Sequence, residues 1–379
     1  MILQVVFWMS LGFVALAYVG YPLGVWVLAG VMGKPVRKGP VSGTVSFIVA
    51  AHNEASHIET RIRNLLEQEG VEVAQVIVGS DGSTDGTDDI VSNMNDPRVQ
   101  LIALAKRSGK PAVLNACVRR ATGDYLVFCD ARQTFAPEAA ARLVVNFAEV
   151  SVKCVSGELV IGARPDGRVD AGLYWRYEKF IRRNESKLYS TVGATGAIYA
   201  IRRQDFVELP EDALLDDVTV PLRAQRAGGR TVFEPEALAH DEPVSSEREW
   251  SRKVRTLAGN FQLLFAPGRY GNPFRRATCL QFLGHKVARL LVPLAMVTTL
   301  IGTFGFSGPS FWTLVSLQGI GYVGAGGGWL LERSGRSPGL LGLPLTFVML
   351  NLAVAAGFWG WLRGSQGVLW ARDPKQETP

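Results

Sequence analysis

Residues 2–32, ILQVVFWMSLGFVALAYVGYPLGVWVLAGVM, form one apolar run without a charge. About twenty such residues are enough to cross a bilayer as a helix. Three more apolar runs, near 287–306, 309–331 and 340–362, follow towards the C-terminus, and together the four predict membrane-spanning helices. Between them, residues 34–285 mix charge and apolar residues with the periodicity of a soluble domain.

Inside that domain the pattern alternates. VSFIVAAHNE (45–54) is a β-branched run ending in polar residues, a strand pattern. HIETRIRNLLEQ (57–68) sets Ile58, Ile62, Leu65 and Leu66 on one helical face. VEVAQVIVGSDGSTDGT (71–87) reads as a strand and a Gly/Ser/Asp turn, with a helix starting at TDDIVSNM; RVQLIAL (98–104), KPAVLNACVRRA (110–121) and DYLVFCDA (124–131) read as strand, helix and strand. Strands alternating with helices at these lengths predict βαβ units and a parallel sheet. Ligands of such sheets sit beyond the carboxyl ends of the strands. Glu54, Asp81 and Asp130 all fall at that edge.

Charge and composition refine the picture. The first run lacks a basic leader region and a small-residue cleavage site, so it reads as an uncleaved anchor. Lys34, Arg37 and Lys38 follow it with no acid among them, which places the soluble domain on the cytoplasmic side. One span before the domain and three after would put both termini outside, whereas Arg363, Arg372 and Lys375 favour the inside, so span count and charge pull apart. The net charge of +6 suits a membrane-facing surface and requires no nucleic acid. Cys117, Cys129, Cys154 and Cys279 show neither paired nor metal-ligand spacing and read as reduced thiols.

Single motifs have modest readings. SDGSTDGT alone is a good loop, neither a dinucleotide fingerprint nor a phosphate-binding P-loop. Asp216 and Asp217 alone are an N-cap pair, and Arg252 and Arg255, three apart, form a basic helix face with Trp250 as an interfacial anchor. In order along the chain they mean more. VSFIVAAHNE, VGSDGSTDGT, the Gly-Lys before LNACVRRATGDYLVFCDA, GATGAIYAIRR (193–203), LLDDVTVPLRAQRAGGR (214–230) and RKVRT (252–256) together resemble membrane-bound family 2 glycosyltransferases of the polysaccharide-synthase type. The resemblance covers roughly 45–362 and implies an α/β GT-A fold, a Rossmann-like, mixed, mostly parallel sheet, with α-helical transmembrane segments. The expected organisation is an N-terminal transmembrane helix (1–33), a cytoplasmic GT-A domain (34–250), interfacial amphipathic helices carrying RKVRT (251–285), C-terminal transmembrane helices (286–365) and a polar tail (366–379).

The resemblance also implies roles. Ala50, His52, Glu54, Asp81 and Lys110 would contact the nucleotide of a sugar donor, with UDP expected. Asp130 would bind the donor and a divalent cation, Mg²⁺ or Mn²⁺. Asp217, with Asp216 second to it, would be the catalytic base. Gly193, Ala194, Thr195 and Gly196 would face the acceptor, and Arg252 and Arg255 the diphosphate. The implied protein is a multi-pass inverting enzyme of the bacterial inner membrane with a cytoplasmic catalytic domain, building an exopolysaccharide, processively with coupled translocation by analogy, on a saccharide or lipid-linked acceptor among membrane lipids. The alternatives are non-processive transfer to a lipid and a catalytically silent sugar-nucleotide sensor. Two positions depart from the family pattern. Arg132 stands where a second metal-binding carboxylate is expected, and a guanidinium cannot ligate a cation. Thr256 replaces a tryptophan. His240, in EALAHDEP, is a further candidate ligand beside its simpler reading as a surface histidine.

Overall fold

The structure, a computed structural model, describes residues 1–162, 173–225, 228–242, 246–275 and 278–369. The expected tail residues Arg372 and Lys375 lie outside them. In chain order the elements are α1 (Ile2–Ala15), a π-helical turn (Leu16–Gly20), α2 (Tyr21–Met32), β1 (Thr44–Ala51), α3 (Ile58–Leu66), β2 (Glu72–Asp81), α4 (Thr87–Ser92), β3 (Val99–Leu104), α5 (Lys110–Val118), β4 (Tyr125–Asp130), β5 (Thr134–Phe135), α6 (Ala139–Val144), β6 (Val152–Ile161), α7 (Leu173–Leu188), β7 (Ile198–Arg202), α8 (Asp216–Ala224) and β8 (Arg230–Asp241). Then come α9 (Ser246–Phe265), α10 (Pro267–Tyr270), α11 (Cys279–Gln281), a second π-helical segment (Phe282–Val287), α12 (Ala288–Thr303), α13 (Gly308–Arg333) and α14 (Gly342–Leu362). The chain divides into an α/β unit (28–244, 265–279 and 366–379) and a helical unit (1–27, 245–264 and 280–365).

One eight-stranded sheet, ordered β3-β2-β1-β4-β7-β6-β8-β5, builds the α/β unit. β3, β2, β1 and β4 are parallel, as the alternating pattern predicts. β7 then runs antiparallel to β4 and β6, and β5 antiparallel to β8, so the sheet is mixed. β1 is buried along nearly its whole length because helices cover both faces. Val45, Phe47 and Val49 join Ile58, Ile62 and Leu65 of α3 on one face. Ile48 and Ala50 join Val113, Leu114 and Cys117 of α5 on the other. The close seat of α5 depends on Gly79 of β2, where a Cβ would lie 2.3 Å from Val113 Cγ1 and 2.5 Å from Cys117 Sγ. Burial pushes the Cys117 thiol up to about 12, as suits a packing residue rather than a nucleophile.

Among the described residues three helical stretches are long and apolar enough to cross a membrane: Ile2–Met32, Cys279–Thr303 and Gly339–Leu362. The fourth expected span is a single helix, α13, of 26 residues. Its glycine-rich centre, between Gly319 and Gly328, makes it less apolar, and it is not among the three. In the helical unit α1 meets α12 closely, since a Cβ on Gly302 would lie 2.7 Å from the Phe7 backbone nitrogen. Ser10 and Thr298 share a hydrogen bond of 2.7 Å across the same contact. Small residues that admit such approach are what helix pairs use when lipid removes the hydrophobic drive.

Candidate active site

The carboxyl ends of β1, β2 and β4 come together, with Ala50 in register with both Gly79 and Asp130. The two turns that leave them brace one another. Asn53, the one described non-glycine residue with positive φ, at 55°, accepts a hydrogen bond from the Thr84 N–H at 2.9 Å. The Glu54 N–H donates to Thr87 Oγ1 at 2.9 Å, and the Ala55 N–H donates to Asp85 Oδ2 at 3.0 Å. SDGSTDGT is therefore a braced wall of the site as well as a turn.

Asp81 is fully buried. Its carboxylate accepts hydrogen bonds from the N–H groups of Ser108, at 2.6 Å, and Gly109, at 3.0 Å. It thereby fixes the loop that presents Lys110 at the start of α5. His52 donates from Nδ1 to the Asp81 carbonyl at 2.9 Å, and burial, with Arg107 nearby, holds its pKa below the ordinary histidine value. Burial raises the Glu54 carboxyl above its usual range despite His57, whose Nδ1 is 3.3 Å away.

Lys110 is the centre of the arrangement. Its ammonium lies 2.9 Å from Asp130 Oδ1 and 3.2 Å from Asp216 Oδ2. Burial opposes its charge, but Asp130 and Asp216 outweigh that and hold its pKa above the ordinary lysine value. One cation thus joins the end of β4 to the N-terminus of α8.

Asp217, the next residue, is less buried than Asp216. Its backbone carbonyl accepts the Ala194 N–H at 2.7 Å. Its carboxylate lies over the Gly193–Gly196 loop, where a Cβ on Gly196 would stand 3.4 Å from Asp217 Oδ2. The same loop leaves no room at Gly193, whose Cβ would meet Val218 Cγ2 at 2.8 Å. Thr195 donates its N–H to Ser156 Oγ at 2.8 Å and accepts a bond from Arg182 Nη1 at 2.8 Å. Nothing local in the sequence marks out Arg182, because α7 reads there as an ordinary charged helix.

Arg132 turns to Asp241 at the end of β8, 2.7 Å away, and Gln133 donates to the same oxygen at 2.9 Å. His240 is exposed; its neighbour Asp241 is the inward residue. The alternation along β8, with Ala237, Ala239 and Asp241 buried, was the available signal. For a divalent cation, Arg132 supplies no ligand beside Asp130. Among the described residues no three His, Cys, Asp or Glu side chains converge on a metal position. That fits only a cation taking its remaining ligands from diphosphate and water.

Arg252 and Arg255 lie on α9, in the helical unit. There Thr256 donates its hydroxyl to the Arg252 carbonyl at 2.8 Å. α9 packs on α14 through Phe261, whose ring is 5.1 Å from that of Phe358.

Residues 46–209 match the family model described as Glycosyl transferase family 2. The succinoglycan biosynthesis protein ExoO of Rhizobium meliloti (strain 1021) is 39% identical over 100 residues, which are 26% of this chain and 28% of that protein. The poly-beta-1,6-N-acetyl-D-glucosamine synthase of Staphylococcus aureus (strain COL) is 22% identical over 228 residues, 58% of this chain and 55% of that one. The matches thus span about a quarter to a half of these relatives' lengths. Among solved structures, the mannosyltransferase PcManGT from Pyrobaculum calidifontis, in complex with GDP-Man and Mn²⁺, superposes with a TM-score of 0.69 at 22% identity. That similarity covers 95% of this chain and 99% of that one. The mixed, mostly parallel sheet is that of the GT-A glycosyltransferases.

Proposed function

We propose that this chain, which carries a glycosyl transferase family 2 domain across residues 46–209, is a membrane-embedded inverting enzyme that transfers a sugar from a nucleotide donor, UDP-linked, to a growing bacterial exopolysaccharide. The observation that carries the reading is the Lys110 bridge between Asp130 and Asp216, which sets a donor-edge acid beside the acids of α8. Similarity to the two polysaccharide-building relatives supports the product class. The three apolar helices support the membrane setting, and Lys34, Arg37 and Lys38 a cytoplasmic α/β unit at the inner membrane.

In this reading the nucleotide lies along the edge formed by Ala50, His52 and Glu54, beside the loop that Asp81 holds. The acceptor hydroxyl approaches over Gly193–Gly196. Asp217 takes its proton as the hydroxyl oxygen attacks the anomeric carbon from the face opposite the diphosphate. The bond from that carbon to the diphosphate oxygen breaks, configuration inverts, and the diphosphate leaves with the bonding pair. Lys110, kept protonated by its acids, neutralises part of the charge that develops there. Asp216 positions Lys110, and the pairing of its oxygen with that ammonium favours Asp217 over it as the base. Asp130 would hold a divalent cation, which when bound supplies Lewis-acid polarisation of the diphosphate.

The test is turnover by the purified chain in nanodiscs with a panel of UDP- and GDP-sugars, with Mg²⁺, with Mn²⁺ and with chelator. Release of nucleoside diphosphate from one donor, with a saccharide ladder as product, is the expected result. A single added sugar on a lipid would replace the polymer reading with lipid glycosylation. Nucleotide binding with no release from any donor, across saccharide and lipid acceptors, would remove the enzymatic reading.

A further inference from the structure

At the donor edge the position beside Asp130 is already taken by a cation of the protein's own. The Lys110 side chain is 11% exposed, its ammonium is 2.9 Å from Asp130 Oδ1, and the same ammonium holds Asp216. Arg132, where a second carboxylate would strengthen a metal site, adds positive charge and is committed to Asp241. A free divalent cation arriving here would have to displace the ammonium that already pairs with Asp130. A cation already carrying a nucleoside diphosphate arrives differently. Its phosphate oxygens offer Lys110 a new anionic partner as Asp130 turns to the metal, so each charge keeps a counter-charge throughout the exchange. Building on the nucleotide-sugar reading above, we propose that Lys110 is an internal counter-ion that withholds Asp130 from metal until a diphosphate replaces it, so that this chain takes up a divalent cation only together with its nucleotide.

The loop geometry supports a lysine held for this exchange. Asp81 fixes the Ser108 and Gly109 N–H groups, so the base of the Lys110 side chain is anchored while its tip lies between two acids. The ammonium can follow an incoming phosphate without losing Asp216. The size of the competition follows from general electrostatics: an opposite charge within a few ångströms favours an ionised carboxylate by about one to three pK units. Replacing Lys110 by an uncharged side chain is therefore expected to tighten metal binding at Asp130 by about tenfold or more.

The experiment is a Mn²⁺ titration of the purified full chain followed by electron paramagnetic resonance of the free ion, without nucleotide, with UDP and with GDP. Nucleotide binding is scored on the same samples. Wild type is expected to bind Mn²⁺ saturably only with a nucleotide. Lys110→Met is expected to bind it without nucleotide, and the double variant with Asp130→Asn to lose it again. Wild type binding Mn²⁺ equally well with and without nucleotide would overturn the inference, and that arm needs no variant to fold. A wild type that takes nucleotide but no Mn²⁺ beside it, or a folded Lys110→Met with an unchanged curve, would do so too. Failure of wild type to bind either nucleotide would instead overturn the functional reading on which this rests.

Discussion

The guanidinium of Arg132 lies 2.7 Å from the carboxylate of Asp241, whose side chain is 2% exposed. The pair ties the turn after β4 to the end of β8, and it explains how an arginine is accommodated where a metal-binding acid is expected. Its charge is consumed inside the protein. Burial works against the Arg132 charge, but the hydrogen bond and attraction of Asp241 hold its pKa above the ordinary value.

Arg132→Ala should therefore destabilise the protein. It leaves the buried Asp241 carboxylate with the Gln133 amide but without its guanidinium, a loss of about 2 kcal/mol. For an α/β unit of this size that is a fall of roughly 4–8 °C in Tm. Thermal melting in detergent checks it, with Arg132→Lys expected to recover part of the loss.

Asp217→Asn should lower turnover by about 10²–10⁴-fold, the range of general-base contributions, while leaving nucleotide affinity unchanged. Asp216→Asn should act through Lys110 and alter nucleotide affinity together with turnover. Steady-state kinetics beside equilibrium nucleotide binding separates the two.

Asp81→Ala removes the acceptor of two loop N–H groups. Hydrogen bonds to a charged group contribute about 1.5–3 kcal/mol, so nucleotide affinity should fall by about tenfold or more as the Lys110 loop loosens. Calorimetric nucleotide titration is the readout.

Gly193→Ala places a methyl 2.8 Å from Val218 Cγ2 and 3.1 Å from the Asp217 carbonyl oxygen. The loop or the first turn of α8 must shift, and about 1 Å of misplacement can cost about 10²-fold in rate. Turnover should fall that far while nucleotide binding at the opposite edge stays intact.

His52 gives a pH dependence. Its folded pKa is lowered from 6.5 by burial and by Arg107, so near and just below that value the unfolded chain binds more protons than the folded one. Stability from this residue is complete above the unfolded pKa and is lost as pH falls through the lowered folded value. Melting temperatures of wild type should drop between neutral and mildly acidic pH, and His52→Gln should flatten that part of the profile.

Near neighbours along the chain dictate much of the local structure. Period-two and helical spacing put Val45, Phe47 and Val49 on one face of β1 and Ile58, Ile62 and Leu65 against them, and four parallel strands follow. Uncharged length marked the apolar helices, although the glycines of α13 made it a weaker case than its composition of neighbours suggested. The order of the motifs brought Lys110, Asp130, Asp216 and Asp217 forward as candidates. The tertiary structure decided which of them share a partner. Lys110 reaches Asp216 only because β7 and α8 fold back beside β4, and Arg132 finds Asp241 only because β8 ends next to that turn. Local pattern fixes which face a residue occupies. The partner of a buried charge is set by segments that are distant in sequence, since the cost of burying it is met by whichever opposite charge the fold brings within a few ångströms.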